Sequence, residues 1–155
     1  MSKVSRAFAP LSLLFVIALG LAACQTQQLR GLAPYDPAAA QRTAELKVAS
    51  VNLIAKSGER FSRHAAEVSS VTAAMDTAYE LARATPGNEL VTQQWEIMRN
   101  PEGALYGGFI KRWQANGTVS AAFREEITPQ IAAAFDLMLC LENAKRTPMQ
   151  CGAAQ

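Results

Sequence analysis

The chain has 155 residues, 15 Lys plus Arg against 13 Asp plus Glu, half of its residues hydrophobic, three cysteines and one histidine. That length suits one folded domain around one core. A formal charge of only +2 gives no electrostatic footprint for nucleic acid, and a single histidine excludes multi-histidine metal sites.

Lys3 and Arg6 open the chain, and residues 7–29 then carry no charge. By count that run could span a bilayer. Gln25, Gln27 and Gln28, however, cut its apolar part to the roughly 7–15 residues of an export-signal core. The core ends in Leu21-Ala22-Ala23-Cys24.

This tetrapeptide, set behind a basic start and an apolar run, resembles the lipobox of bacterial lipoproteins. The resemblance covers only the first 24 residues. It implies that residues 1–23 are a cleaved signal peptide and that Cys24 becomes the lipidated amino terminus, with palmitate-type acyl chains as the membrane partner. Three such chains exceed the two signals that stable anchoring requires. Gln25, where an aspartate would imply retention at the inner membrane, implies the outer membrane, with the domain on the periplasmic face or exported to the surface. Loss of Lys3 and Arg6 with the leader leaves 13 basic against 13 acidic side chains.

Residues 24–35 show no apolar period and read as a lipidated tether. At ~3.3–3.6 Å per residue, Gln25 to Tyr35 reach about 35–40 Å. The helical domain is expected over residues 36–155. Asp36-Pro37 reads as an N-cap followed by proline at the first helical position. Leu46, Val48, Ala49, Val51, Leu53 and Ile54 then give a broad apolar face, and Gly58 reads as a left-handed helix stop. A second helix is expected from about Glu59 to Ala84, with Phe61, Val68, Met75 and Ala82 seven apart. The apolar phase crosses Ser57-Gly58 unbroken, so one long helix competes with a hairpin there; the hairpin is favoured.

Thr85-Pro86-Gly87 punctuates. Leu90, Val91, Trp95 and Met98 then share one side of a short helix over residues 88–99. Asn100-Pro101 repeats the cap-plus-proline start, and Leu105, Tyr106, Phe109, Ile110 and Trp113 form a stripe that closes at Asn116-Gly117. Gly103, Gly107 and Gly108 read as a close helix crossing. Residues 119–127 supply a short piece, and a last helix starts at Thr128-Pro129 with Ile131, Ala134, Phe135, Met138 and Leu141 buried. No stretch alternates with period two for long. The fold class is therefore all-α, an irregular four- to six-helix bundle.

With Cys24 acylated, Cys140 and Cys151 remain as an even pair in an oxidising compartment, and their pairing would tie the tail to the last helix. His64 reads as a helix neighbour of Glu67 or Arg60, and Met75, Met98 and Met138 as core. Asp76 with Glu80, and Glu125 with Glu126, sit beside Arg83 and Arg124 as solvated faces. Lys145-Arg146 reads as a solvated helix end. No motif names a reaction, a cofactor or a metal. The expected function is a non-catalytic helical adaptor or assembly factor for another envelope protein, with Tyr106, Phe109, Ile110 and Trp113 as its partner-binding anchors. The alternative is a small-ligand or lipid binder using a pocket of Trp95, Tyr106, Phe109 and Trp113 that converges on His64.

Overall fold

The computed structural model describes residues 32–147 and 149–151. Cys24 and the rest of the lipobox lie outside them. The chain divides after Leu32, and all the helices described belong to the unit Ala33–Gln155.

The described residues form five α-helices and one 3₁₀ turn. They are α1 (Pro37–Lys56), the 3₁₀ turn Phe61–Arg63, α2 (Ala65–Arg83), α3 (Glu89–Arg99), α4 (Tyr106–Asn116) and α5 (Ala121–Ala144). The described residues contain no strand. The Asp36 carboxylate accepts from the Ala38 N–H at 2.9 Å, and Pro37 takes the first turn, so α1 starts where its sequence says. Its buried side is Thr43, Leu46, Ser50, Leu53 and Ile54, while Val48 is exposed. Ser50 and Thr43 are tolerated inside because each hydroxyl donates to the carbonyl one turn back.

The hairpin at residues 57–60 prevails over the long helix, and long-range bonds explain why. Val119 N–H donates to the Ser57 carbonyl at 2.8 Å, and Phe61 N–H donates to that of Gly117 at 2.7 Å. The Trp113 indole N–H adds a bond to the Glu59 carbonyl at 3.0 Å. A continuous helix would lose all three. Gly58 is not the left-handed stop expected of it; Gly87 and Gly117 carry the positive φ angles, +80° and +74°. α2 begins at Ala65 rather than Glu59, because Phe61–Arg63 is spent in the tight turn. From there Val68, Val71, Met75, Ala78 and Ala82 hold a regular apolar seam.

Two other boundaries differ from the expectation. Asn100-Pro101 starts no helix. The Asn100 side chain accepts from the Glu102 N–H at 2.9 Å, which closes a turn, and α4 begins only at Tyr106. The glycines explain the geometry: a Cβ on Gly107 would collide with the Arg99–Asn100 backbone, and one on Gly108 with the Gly103 carbonyl. Close backbone approach is indeed their role, but of a turn onto a helix. At the other end, Pro129 lies inside α5 instead of opening it. Ser120 caps the helix, accepting from Phe123 N–H, and the Thr128 hydroxyl donates to the Arg124 carbonyl at 2.7 Å. An interior proline costs about 3 kcal/mol. Burial of Ile127 on one side of it and Ile131, Phe135 and Met138 on the other offsets that cost.

α5 packs against α1 and α3, α2 against α1 and α3, and α4 against α3. The core joins all five helices, and Met75, Met98 and Met138 lie in it. Cys140 and Cys151 form a disulfide with Cα atoms 5.7 Å apart, so the tail returns to the end of α5. The folded part also reaches further back than Asp36. Ala33 is buried, and its N–H donates to the Gly87 carbonyl at 2.9 Å.

Candidate functional site

The first turn of α1, the end of α2, the start of α3 and the end of α5 leave a cleft of about 340 Å³ between them. Ala78, Leu81, Ala82, Val91 and Trp95 make its apolar wall. Tyr35, Asp36 and Arg42 also line it, and Arg146 lies over the Tyr35 ring with its guanidinium 5.2 Å from the centroid.

Its most unusual part is an ion pair taken almost wholly out of water. Glu142 is 2% exposed, and the Lys145 side chain is 5% exposed. The Lys145 ammonium donates to both Glu142 carboxylate oxygens, at 2.7 and 2.8 Å, and to Asn88 Oδ1 at 2.6 Å. Asn88 in turn donates to the Ala82 carbonyl at 3.3 Å. All three ammonium protons are therefore used, and no buried side-chain nitrogen or oxygen among the described residues lacks a partner. Desolvating two charges is costly, so such a pair stands only when its remaining bonds are also made. Here Asn88 supplies the third acceptor and thereby ties the start of α3 to the end of α5.

The expected solvated helix end is thus corrected at Lys145, whereas Arg146 is exposed as expected. Lys145 folds inward because the Glu142 carboxylate, one turn earlier on α5, offers a nearby counter-charge. An i, i+3 Glu–Lys spacing at an apolar helix's end was the available signal, but surface pairs share it, and only the burial distinguishes them.

The proposed partner anchors fare differently. Tyr106, Phe109 and Trp113 are 2%, 1% and 0% exposed and belong to the core, so they present no surface to a partner; Ile110 is half-buried. The period that marked them is simply that of α4's packed side. Nor do the four aromatics form one pocket on His64. Trp95 lines the cleft above, whereas Tyr106 and Ile110 line a separate, mostly apolar cavity of about 300 Å³ with Thr72 and Met75. Burial pushes the Tyr106 phenol up to about 12, and its hydroxyl lies 3.4 Å from that of Thr72.

His64 is half-buried, with its ring tilted on Trp113 at 5.6 Å between centroids. Its Nε2 lies 3.2 Å from a Glu59 carboxylate oxygen and its Nδ1 3.6 Å from one of Glu67. The two carboxylates flank opposite ring nitrogens and so cannot converge with the ring on one ion. The Lys56 ammonium, bonded at 2.7 Å, holds the Glu67 carboxyl below its ordinary value. Among the described residues no group of three His, Cys, Asp or Glu side chains is placed to hold a metal ion. Asp76 pairs with Arg99 of α3 at 2.7 Å rather than with Arg83, which binds Glu80. Arg99 also lies 4.2 Å from the centre of the Tyr79 ring.

Large apolar side chains that do face solvent include Leu90 and Ile97, 54% and 52% exposed, one heptad apart on the outer side of α3. No helix among the described residues is long and apolar enough to cross a membrane. Comparison with protein-family models, curated proteins and solved structures finds no match to this chain.

Proposed function

We propose that this chain is an outer-membrane lipoprotein, anchored through acylated Cys24, whose helical domain works by binding another envelope protein rather than by catalysis. The anchoring half rests on Leu21-Ala22-Ala23-Cys24 behind its basic start and uncharged run. The observation that carries the binding half is the outer side of α3, where Leu90 and Ile97 stay exposed two turns apart, with Gln93 and Gln94 between them, on a helix whose other side, Val91, Trp95 and Met98, is fixed in the core. Two apolar side chains held two turns apart on a rigid helix can seat in a partner's groove with little ordering cost. This surface replaces the α4 aromatics as the candidate contact.

Two experiments test the two halves separately. Mass spectrometry of the mature amino terminus should find a triacylated Cys24, and Cys24→Ser should leave the precursor unprocessed; an unmodified terminus elsewhere refutes the anchor. A photo-crosslinker at position 97 should give one discrete adduct in intact envelopes, lost in a folded Leu90→Asp variant. Absence of any adduct removes the adaptor reading and leaves the anchor standing.

A further inference from the structure

We infer that the cleft between α1, α2, α3 and α5 is a binding site for an N-acylated amino-acid unit with a free carboxylate and an apolar side chain, the chemistry of a peptide's carboxyl end. The inference goes beyond the adaptor reading and depends on neither the lipid anchor nor the outer side of α3.

The charges of the cleft select this ligand by what is already used and what is not. Lys145 has no proton left to offer, since its three go to Glu142 and Asn88. Asp36 keeps its charge, with one oxygen accepting from the Ala38 N–H and the N-terminus of α1 as its stabilising dipole. Arg42 also lines the cleft, and it forms no ion pair with any described residue. It is the one cation of the cleft without a counter-charge. A planar guanidinium with parallel N–H groups suits a carboxylate, which it can take bidentately.

The complementary polar feature is Glu142. Each of its oxygens accepts a single bond, from the Lys145 ammonium, while a carboxylate has about four acceptor positions. Glu142 lines the floor of the cleft and keeps 2% of its surface open, so a donor reaches it only through that narrow edge. A second ammonium there would face Lys145 at close range and be repelled, so the fitting donor is neutral. An amide N–H next to a carboxylate meets both requirements in one small unit. The wall of Leu81, Ala82, Val91 and Trp95 supplies the apolar contact, and Leu81 remains 48% exposed. At ~30 Å³ per water, a cleft of about 340 Å³ has room for on the order of ten to fifteen non-hydrogen atoms. That is the size of one acylated residue.

The test is calorimetry of the full chain as purified in detergent, titrated with N-acetyl-L-leucine, N-acetyl-L-leucinamide, L-leucine and the tripeptide acetyl-Ala-Ala-Leu. N-acetyl-L-leucine should bind saturably with one site. The amide, which lacks the carboxylate, and free leucine, which carries an ammonium, should each bind about tenfold more weakly. Arg42→Gln should reduce N-acetyl-L-leucine affinity by about tenfold, leave the weak binding of the amide unchanged and leave the melting temperature unchanged, since Arg42 holds no ion pair. Leu81→Ser should weaken carboxylate and amide alike. Tighter binding of the tripeptide than of N-acetyl-L-leucine assigns the source to a protein terminus, and the reverse order to a small metabolite. No saturable binding of either up to about 10 mM, equal affinity for acid and amide, or an Arg42→Gln variant that binds like the parent overturns the inference.

Discussion

The buried pair of Glu142 and Lys145 should behave as a unit, and a four-protein cycle measures it. Lys145→Met removes both bonds to the carboxylate and leaves Asn88 Oδ1 without its donor, while Glu142 stays 2% exposed. Breaking a buried pair from one side costs about 3–5 kcal/mol. At roughly 4 °C per kcal/mol for a domain of this size, that is a fall of about 12–20 °C in Tm. Glu142→Leu alone should cost a similar amount, because the ammonium would keep only Asn88. The double variant removes both charges and fills the space with apolar atoms, so it should recover to within about 1 kcal/mol of the parent or exceed it. From these values the coupling is at least about 5 kcal/mol. Urea and thermal unfolding followed by circular dichroism give the four stabilities. Additive effects, or single variants that each cost less than about 1 kcal/mol, would mean that water reaches the pair and that burial does not govern its energy.

Three further outcomes follow from other contacts. Gly107→Ala should destabilise by about 1–3 kcal/mol or more, since its methyl meets the Arg99–Asn100 backbone. Gly58→Ala should stay within about 1 kcal/mol of the parent, because there the methyl meets only the movable end of Arg124; equal costs at the two positions would refute this account. Trp113→Ala should cost about 3–5 kcal/mol by urea unfolding, as expected for a fully buried indole bonded to the Glu59 carbonyl, and a normally stable variant would return Trp113 to the surface. Glu67, held below 4.5 by Lys56, contributes stability that is whole above pH 4.5 and lost as pH falls through its lowered folded value. Lys56→Met should therefore cost less than about 1 kcal/mol at about pH 7 and nothing at about pH 2, and a cost that persists in acid would point to packing instead.

What the sequence made legible was whatever depends on neighbours along the chain. The helical class, the Asp36-Pro37 start, the pairing of Cys140 with Cys151 and the core methionines all follow from local periods, caps and counts. What it hid was decided by distant partners. Nothing near Ser57-Gly58 says that Gly117 and Val119 will take its backbone bonds. Likewise Asn100-Pro101 and Thr128-Pro129 carry the same cap-plus-proline signature as Asp36-Pro37. One became a turn because α4 presses glycines against it, and one a helix interior because Ile127 and Ile131 are both buried. The α4 aromatics were rightly seen as one stripe, but a stripe does not say whether a core or a partner covers it.

The same distinction explains why the cleft was invisible beforehand. Its polar floor joins Asn88 to Glu142 and Lys145, more than fifty residues later in sequence. These meet because α5 packs against α3 and its far end reaches the start of that helix. Lys145 and Arg146 lie within the ring closed by Cys140 and Cys151, and they engage Asn88 and Tyr35 respectively. The disulfide therefore limits the freedom of the one segment that both completes the buried ion pair and covers Tyr35. The packing of α5 on α3 and a short disulfide ring together fix where the buried charges of the cleft stand.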